Sequence, residues 1–514
     1  MKKATALTGG LFLSLTFSIT IKAKKRKLNS MKRIIAAILS AFVFLTSCSP
    51  QNSNTPHPNL LDLDDCVLTS PSGAQFDARC GTWKVPEDRS NPSKRQIELS
   101  ITVIPAVAYI PEPDPLFLLA GGPGQSAIET FPAVLPFLFN IHQKRDIVLV
   151  DQRGTGKSNP LQCLGVEMEL IDDEETIDRL QSCPKELNAD VRFYHTEIAM
   201  KDLDEIRSVL GYEKINLYGV SYGTRAALTY LHLFPERVRT ITLDAAIDPG
   251  FVLYMDTAAD GQAALEMFFT RCETDNACKT SFPNLRNEFD EVLARLKNEP
   301  AEVNIRHPRT NKPLHLTITH EHILHMIIQT LYSPEFVATL PLSIHTAYAD
   351  ENYTPLIMQA FLVNTDIYDG MYYAVTCTED APFLPSAEEL ASSSNEDILG
   401  NWAADFIKVC EVWQKGEVSP GFREPVVSNV PALLLSGSAD PITPPHHAEK
   451  VAKNLTNSIH LVFPGMGHGN LFNYCGKKLF EDFIQTASPH GLDTSCVEKV
   501  QPPPFFVNFS GPRP

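Results

Sequence analysis

The chain has 514 residues, 43% of them hydrophobic, and its formal net charge is −17. This length allows one large domain with an insertion, or two domains, and the apolar content is sufficient for a sizeable core. The first 47 residues carry nine Lys and Arg and no acidic residue, so removing them leaves a charge of −26. Such an acidic chain argues against a nucleic-acid partner, which needs a basic surface.

The N-terminal 48 residues have the pattern of an export signal. A short basic start at Met31-Lys32-Arg33 leads into the apolar residues 34–45, and Leu45-Thr46-Ser47-Cys48 follows. This order is typical of a secretory signal. Its last four residues resemble the lipobox of bacterial lipoproteins, in which the cysteine is lipidated and becomes the mature N-terminus. A simple cleaved signal with an incidental Cys48 is the alternative.

An earlier apolar run, residues 11–21, is too short to span a bilayer as a helix. We therefore expect translation to start at Met31 rather than Met1. No later run has the length of a membrane span, and the Pro/Asn/Ser-rich residues 49–59 are typical of a tether. The sequence thus predicts an exported protein of the cell envelope, or a secreted one, that touches a membrane only through a lipid anchor on Cys48.

Ten cysteines remain when Cys48 is set aside, and an even number in an exported chain favours disulfides. Pairing of neighbours along the sequence is the simplest hypothesis, because each bond then closes a short loop. Clustered Cys and His with metal-ligand spacing are absent from the sequence, so we predict no metal site.

Apolar residues alternate with polar ones at residues 96–106, which predicts the opening strands. Two continuous apolar runs, typical of buried strands, follow. The first, residues 115–120, breaks into Gly121-Gly122-Pro123-Gly124, whose backbone N–H groups can face a ligand, although a plain tight turn is the alternative. The second, residues 146–150, ends in the glycine-containing loop 151–158. That loop lacks the spacing of a phosphate-binding P-loop, so we reject this interpretation.

Strands then alternate with helices, which predicts a parallel sheet with functional groups at the carboxyl ends of its strands. An acidic stretch, residues 161–198, is predicted to be a surface excursion, and residues 200–210 have helical periodicity that ends at Gly211. Gly219-Val220-Ser221-Tyr222-Gly223 follows the apolar residues 215–218 and precedes a helical stretch. This is the G-x-S-x-G pattern in the strand-turn-helix context of a nucleophile elbow.

Long amphipathic stretches without a buried-strand pattern fill residues 250–423, which predicts a helical cap inserted before the last strands, residues 432–435 and 459–463. We divide the chain into a signal, a tether, two parts of an α/β core on either side of a cap, and a tail. In chain order, we predict the signal at 1–48, the tether at 49–65, the first part of the core at 66–249, the cap at 250–425, the second part of the core at 426–500 and the tail at 501–514.

The two last strands each end in a loop with a chemically useful side chain. Asp440 follows the first strand and His468 follows the second, so an acid and a histidine come after Ser221 in the order of an α/β-hydrolase triad. Ser221 is predicted to attack, His468 to accept and return its proton, and Asp440 to orient the imidazole. Asp244 and Asp248 also follow a strand and are the competing acids, ranked lower because they precede the cap.

A negatively charged oxygen in the intermediate needs two donors. We predict the backbone N–H groups of Tyr222 and Gly122 for this oxyanion hole. His446 and His447 lie near Asp440 but follow two prolines in a pattern that predicts the first turn of a helix, so they are assigned no role.

These motifs together resemble the prolyl-aminopeptidase and tripeptidyl-aminopeptidase branch of the α/β hydrolases. The resemblance covers about residues 66–496 and rests on five segments: 121–124, 151–156, 219–224, 440–444 and 467–469. It implies a mostly parallel sheet flanked by helices, with a helical cap. It also implies a serine exopeptidase that acts on peptides with a free N-terminus, and it supports Gly122 as an oxyanion donor.

Two departures from that branch affect the prediction. Ala120 stands where prolyl aminopeptidases often have a histidine, which favours the tripeptidyl-aminopeptidase-like side. The cap has Cys377-Thr378-Glu379-Asp380 where that side tends to have Cys-x-Asp. An aminopeptidase must hold an α-ammonium, and a desolvated carboxylate is a suitable partner. We predict Glu379, or failing it Asp380, for this substrate-binding role; an ordinary surface acid is the alternative.

Two other functions remain open. The same fold and triad serve many acyl substrates, so an esterase or amidase of small molecules is the main alternative. A catalytically silent binding protein is a third possibility, and the three intact loops argue against it. The predicted mechanism needs no cofactor, and the sequence does not indicate the oligomeric state.

Overall fold

A computed structural model describes residues 61–164, 174–308, 310–363, 367–386, 388–389, 398 and 402–512. The predicted export signal, Cys48 and residues 49–60 of the predicted tether lie outside this part of the chain. The described residues belong to one compact unit, Pro58–Pro514.

A nine-stranded sheet forms the centre of this unit, in the order β1-β2-β3-β5-β4-β6-β7-β10-β11. The strands β1 to β3 form an antiparallel edge, and from β5 to β11 each strand runs parallel to its neighbour. The bounds of the nine strands are β1 Asp64–Thr69, β2 Gln75–Pro86, β3 Gln96–Ile104, β4 Leu116–Leu119, β5 Ile147–Val150, β6 Ile215–Val220, β7 Val238–Asp244, β10 Ala432–Gly437 and β11 Ser458–Phe463.

The central strands have the sequence character of strands that are buried on both faces. Every residue of β4, β5 and β10 is buried. A parallel sheet covered by helices on both faces requires such continuous apolar runs. The predicted mostly parallel sheet is therefore confirmed, and the alternating segment predicted at residues 96–106 contains β3, which lies between β2 and β5.

Helices cover the two faces of the sheet and fill the segment between β7 and β10. Before that segment lie α1 Ala127–Thr130, α2 Phe139–His142, α3 Glu174–Ser182, α4 Thr196–Val209 and α5 Tyr222–Leu233. Within it lie α6 Met255–Thr274, α7 Asn276–Ser281, α8 Leu285–Asn298, α9 His320–Leu331, α10 Pro334–Val337, α11 Leu340–Ala349, α12 Thr354–Val363, α13 Asp369–Glu379 and α14 Trp402–Val412. After it lie α15 Pro445–Ala452 and α16 Tyr474–Thr486. We call α6 to α14, with the hairpin described next, the cap.

The cap also contains a hairpin that the prediction of a purely helical insertion missed. Strands β8 (Ala301–Arg306) and β9 (Pro313–Ile318) pair antiparallel in a sheet of their own. In β8 partly buried and exposed residues alternate, and it has no continuous buried run. A search for buried strands passes over such a segment, because only one face of the hairpin packs against the protein.

Five disulfides join neighbouring cysteines, as predicted. The bonds are Cys66–Cys80, Cys163–Cys183, Cys272–Cys278, Cys377–Cys410 and Cys475–Cys496. Disulfides in this number are typical of proteins that fold in an oxidising compartment. Among the described helices, none combines the length and the apolar character needed to cross a bilayer.

Candidate active site

Ser221 stands on a sharp turn between β6 and α5. Its backbone adopts φ 56° and ψ −127°, a conformation that a residue with a side chain rarely takes. A Cβ at Gly219 would lie 2.2 Å from the Gly223 carbonyl oxygen, and a Cβ at Gly223 would lie 2.2 Å from the Leu119 carbonyl oxygen. Both glycines are therefore required for the close passage of strand and helix that lifts Ser221 out of the backbone.

His468 and Asp440 meet at the carboxyl ends of β11 and β10. The Nδ1 atom of His468 lies 2.8 Å from Oδ2 of Asp440. The other Asp440 oxygen accepts the N–H groups of Ile442 and Thr443, and the Thr443 hydroxyl donates to Oδ2. With Nδ1–H donated to the carboxylate, Nε2 is left as the basic nitrogen of a neutral imidazole. This Nε2 is buried and has no hydrogen-bond partner among the described residues.

The charged forms of Asp440 and His468 stabilise each other. Burial raises the pKa of Asp440, but the charge and hydrogen bond of His468 outweigh it, so the pKa lies below its usual value. Burial lowers the pKa of His468, but the Asp440 charge, its hydrogen bond and the Asp244 charge raise it above the usual value. The pair therefore favours an ionised carboxylate that stabilises an imidazolium.

Two family models and several peptidases match this chain. The alpha/beta hydrolase fold model matches residues 114–312, and the TAP-like protein model matches residues 397–496. The chain has the α/β-hydrolase fold. The serine protease Hip1 of Mycobacterium tuberculosis is 25% identical over 448 residues, which cover 79% of this chain and 84% of that protein. With this fold and relatives named as serine protease and aminopeptidase, the present chain is a serine hydrolase.

Two further relatives are named as exopeptidases. The tripeptidyl aminopeptidase of Streptomyces lividans is 23% identical over 482 residues, which cover 86% of this chain and 88% of that protein. The proline iminopeptidase of Neisseria gonorrhoeae is 31% identical over 133 residues, which cover 26% of this chain and 33% of that protein. The resemblance drawn from the sequence motifs is therefore confirmed.

The glycine loop after β4 lies directly against the elbow of the hydrolase. A Cβ at Gly121 would lie 3.2 Å from the Ser221 Cβ and 3.3 Å from the Val220 carbonyl oxygen. Gly122 follows with φ 103°, in the region that favours glycine. Tyr222 is the first residue of α5, and N–H groups of a first turn have no acceptor within their helix. Both predicted oxyanion donors thus belong to segments that flank Ser221.

The competing acids occupy other positions in the hydrolase. Asp244 is buried at the end of β7, and its carboxylate accepts the backbone N–H groups of Asn470 and Leu471. Asp248 bonds to Nδ1 of His447 at 2.7 Å. Neither carboxylate forms an ion pair or a hydrogen bond with the His468 ring among the described contacts, so Asp440 is the acid that the geometry favours.

His447 is buried between two carboxylates, a contact that the sequence analysis missed when it assigned this residue no role. Its Nδ1 bonds to Asp248 and its Nε2 to Asp260 at 2.8 Å. Burial lowers the pKa of His447, but these two acids outweigh it and raise the pKa to about 9. Asp260, His446 and His447 are close enough to hold a metal ion. A protonated His447, however, has no lone pair for a metal, so we describe the group as an ion bridge between α15 and α6.

Glu379 and Asp380 lie together at the end of α13, and both are buried. Asp380 contacts both terminal nitrogens of Arg225, at 3.0 and 3.1 Å. Glu379 accepts the Thr196 N–H at 2.8 Å and lies 3.4 Å from Arg225. Burial raises the pKa of Glu379 to about 7, against the lowering effect of Arg225. Sequence reasoning missed Arg225, since it lies 154 residues before Glu379.

The cap touches the His468 loop, the glycine loop after β4 and the first residue of α4. Tyr332 of the cap accepts the His468 N–H at 2.8 Å through its carbonyl oxygen, and the two rings pack with centroids 4.8 Å apart. Tyr368 donates its N–H to the Gly124 carbonyl oxygen at 2.9 Å. Together with the contact between Glu379 and Thr196, these bonds make the cap a wall of the candidate site.

Proposed function

We propose that the protein is an exported serine aminopeptidase of prolyl or tripeptidyl type, with Ser221, His468 and Asp440 as its catalytic triad. The observation that carries the proposal is the 2.8 Å contact between His468 Nδ1 and Asp440, combined with a buried Nε2 that has no partner among the described residues. A histidine oriented in this way is suited to remove a proton from a serine hydroxyl.

The reaction follows from these positions in two steps. The Ser221 oxygen attacks the carbonyl carbon of the scissile peptide bond, and His468 Nε2 takes the hydroxyl proton. The C–N bond then breaks, and His468 returns the proton to the leaving amine, which leaves an acyl group on Ser221. In the second step water attacks the acyl carbon while His468 Nε2 takes a proton from it. The bond between the acyl carbon and the Ser221 oxygen then breaks, His468 returns the proton to that oxygen, and the N-terminal fragment is released.

The backbone N–H groups of Gly122 and Tyr222 are our candidates for stabilising the oxyanion of both steps. Both flank Ser221, and backbone donors are fixed before the charge develops. No side chain needs to move to supply them.

Glu379 is our candidate for the partner of the substrate's α-ammonium. Asp380 already uses both oxygens on Arg225, whereas Glu379 makes one short hydrogen bond, so Glu379 has more capacity for a second cation. Its side chain is fully buried. Binding of an ammonium there therefore requires a shift of the end of α13 or of another part of the cap.

The relatives support this substrate class. Proteins named serine protease and tripeptidyl aminopeptidase match most of the chain. An esterase or amidase on the same fold is the alternative. Export is supported by the five disulfides, and an anchor on Cys48 remains a prediction.

A panel of chromogenic substrates tests the proposal. It contains Pro-, Ala- and Ala-Ala-Pro-anilides with free amines, their N-blocked counterparts, and a short-chain acyl ester, with Ser221→Ala as the control variant. We expect serine-dependent cleavage of the free-amine anilides only, and the preferred length would identify the type of aminopeptidase. Cleavage of the ester alone, or of blocked and free anilides alike, would reassign the protein as an esterase or amidase.

A further inference from the structure

Asp244 is a buried carboxylate in the candidate site that the proposed mechanism does not use. It has no exposed surface and forms no salt bridge within the described residues. Burial raises its pKa to about 6, although three hydrogen bonds oppose this. Burying a carboxylate without a cation beside it costs free energy unless hydrogen bonds satisfy its oxygens.

Its hydrogen bonds connect the two halves of the triad. The Asp244 carbonyl oxygen accepts the Ser221 N–H at 3.0 Å. Its carboxylate accepts the Asn470 N–H at 2.7 Å and the Leu471 N–H at 2.8 Å. These two residues follow His468 in the same loop. One residue at the end of β7 therefore bonds both to the nucleophile turn and to the histidine loop, 226 residues later in the chain.

We propose that Asp244 is a positioning residue that fixes the His468 loop relative to Ser221 and adds a second negative charge beside the imidazole. This inference rests on the proposed triad, but not on the identity of the substrate. Asp440 orients the ring of His468 from one side, and Asp244 holds the backbone that carries it.

The charged and titratable groups around the pair are few. Tyr218 of β6 donates its hydroxyl to Asp244 at 3.0 Å, and His468 is the charge that acts on Asp244. His468 in turn faces Asp440, Asp244 and the ring of Tyr332 from the cap. Loss of the Asp244 charge therefore lowers the pKa of His468, whereas a more basic Asp244 becomes protonated at a higher pH.

Asp244→Asn tests the proposal, because an amide of the same shape can accept one of the two backbone N–H groups but opposes the other with its own donor. We expect kcat to fall about 10–100-fold with KM within about twofold of wild type, and the acid limb of the pH profile to move to lower pH. Asp248→Asn is the matched control: it is a buried acid four residues away whose partner is His447, and we expect kcat and the acid limb to be unchanged.

Tyr218→Phe supplies a second, independent measurement and decides the question if Asp244→Asn does not fold. It removes one donor from Asp244 and leaves both backbone bonds, so the pKa of Asp244 rises and less of its charge is present where His468 titrates. The acid limb should therefore move in the same direction as in Asp244→Asn, to lower pH, by a smaller amount. If Asp244→Asn has the kcat of the wild type and the acid limb of its pH profile lies at the wild-type pH, the inference is wrong. A loss of kcat with no movement of the limb in either variant would also overturn it, since it would indicate a structural role only.

These measurements are made on whichever substrate of the panel the wild-type protein cleaves. If Ser221→Ala retains activity, the proposed function fails. If Ser221→Ala is inactive and Asp244→Asn behaves as wild type, the inference on Asp244 alone fails.

Discussion

His468 is held by three different kinds of contact: the Asp440 carboxylate on its ring, the Tyr332 carbonyl on its N–H, and the Tyr332 ring against its face. The first sets its tautomer, and the other two come from the cap. A general base that is oriented in this way is ready to act only while it is neutral.

The pH dependence of activity should follow His468. Its pKa is raised by Asp440 and Asp244 in spite of burial, so the imidazole becomes protonated above the usual value of 6.5 as pH falls. We expect kcat/KM to decline as pH falls through this raised pKa and to reach a plateau above it. Asp440→Asn should lower kcat about 1,000–10,000-fold, because the N–H groups of Ile442 and Thr443 hold the amide oxygen and the amide N–H group then faces Nδ1 in place of an acceptor. A variant within tenfold of wild type across the pH range would contradict this assignment.

Glu379→Gln should act on free-amine substrates alone. The change removes the charge but keeps an acceptor for the Thr196 N–H, so kcat/KM on free-amine anilides should fall about 10–100-fold, the value of one charge-assisted hydrogen bond. Because the pKa of Glu379 is about 7, KM of the wild type should decrease as pH rises through 7. Glu197→Gln, a buried acid bonded to Ser419, is the control. Equal effects on free and blocked substrates would remove Glu379 from the proposal.

At the scale of elements, the elbow depends on how closely β4, β6 and α5 approach. Gly223→Ala would place a Cβ 2.2 Å from the Leu119 carbonyl oxygen. This contact is so short that the two backbone segments must move apart. We expect a loss of about 1–3 kcal/mol in the free energy of unfolding and a marked loss of kcat. Gly421→Ala meets no atom within 4 Å and should change the stability by less than about 0.5 kcal/mol. Similar unfolding curves for the two variants would show that the approach is not tight.

The bridge formed by His447 connects α15, which follows the Asp440 loop, to α6 of the cap. Its folded-state pKa of about 9 lies above the unfolded value near 6.5, so its contribution is complete below pH 6.5 and disappears as pH rises through 9. His447→Gln should cost roughly 3 kcal/mol at pH 6, because Asp248 and Asp260 lose their shared cation. The difference from wild type should shrink towards pH 10 in denaturant titrations. The exposed His490→Gln is the control, and a pH-independent difference would exclude the ion bridge.

The sequence revealed the parts of the site that are encoded locally. Ser221 directly follows β6, and Asp440 and His468 lie in the short loops after β10 and β11, so strand pattern and loop composition were enough to predict them. Each disulfide closes a loop of at most 33 residues. The contacts of Asp244, Arg225 and His447 were missed because their partners lie between 154 and 226 residues away. The pairing of β6, β7, β10 and β11 in one sheet brings the partners of Asp244 and His447 close, and packing of the cap on α5 brings Glu379 to Arg225.

At the scale of the whole molecule, one disulfide joins two helices of the cap and another joins two segments of the C-terminal part of the chain. Cys377–Cys410 joins α13, which ends in Glu379, to α14, and so fixes the segment that carries the proposed ammonium site. Cys475–Cys496 joins α16 to the C-terminal segment. Hydrogen bonds of Tyr332, Tyr368 and Glu379 hold the cap on the core, so it can shape the site without being an independently folded domain.

Replacing Cys377 and Cys410 together by serine should separate stability from specificity. We expect a loss of about 3–4 kcal/mol, as for a loop of this length, and a higher KM for free-amine substrates. Chemical unfolding monitored by fluorescence and steady-state kinetics measure the two effects. Replacing Cys66 and Cys80, which close a loop at the far edge of the sheet, should lower stability and leave KM unchanged. If the two pairs change KM equally, the cap disulfide has no special link to the site.

The central claim is that Ser221 is the nucleophile of a triad with His468 and Asp440. The most direct measurement treats the purified protein with a fluorophosphonate, which phosphonylates activated serines, and locates the adduct by peptide mass spectrometry. The account predicts a single adduct on Ser221, no labelling of Ser221→Ala, and labelling of Asp440→Asn that is slower by at least about a hundredfold. Labelling at another serine, or equal rates for wild type and Asp440→Asn, would contradict it.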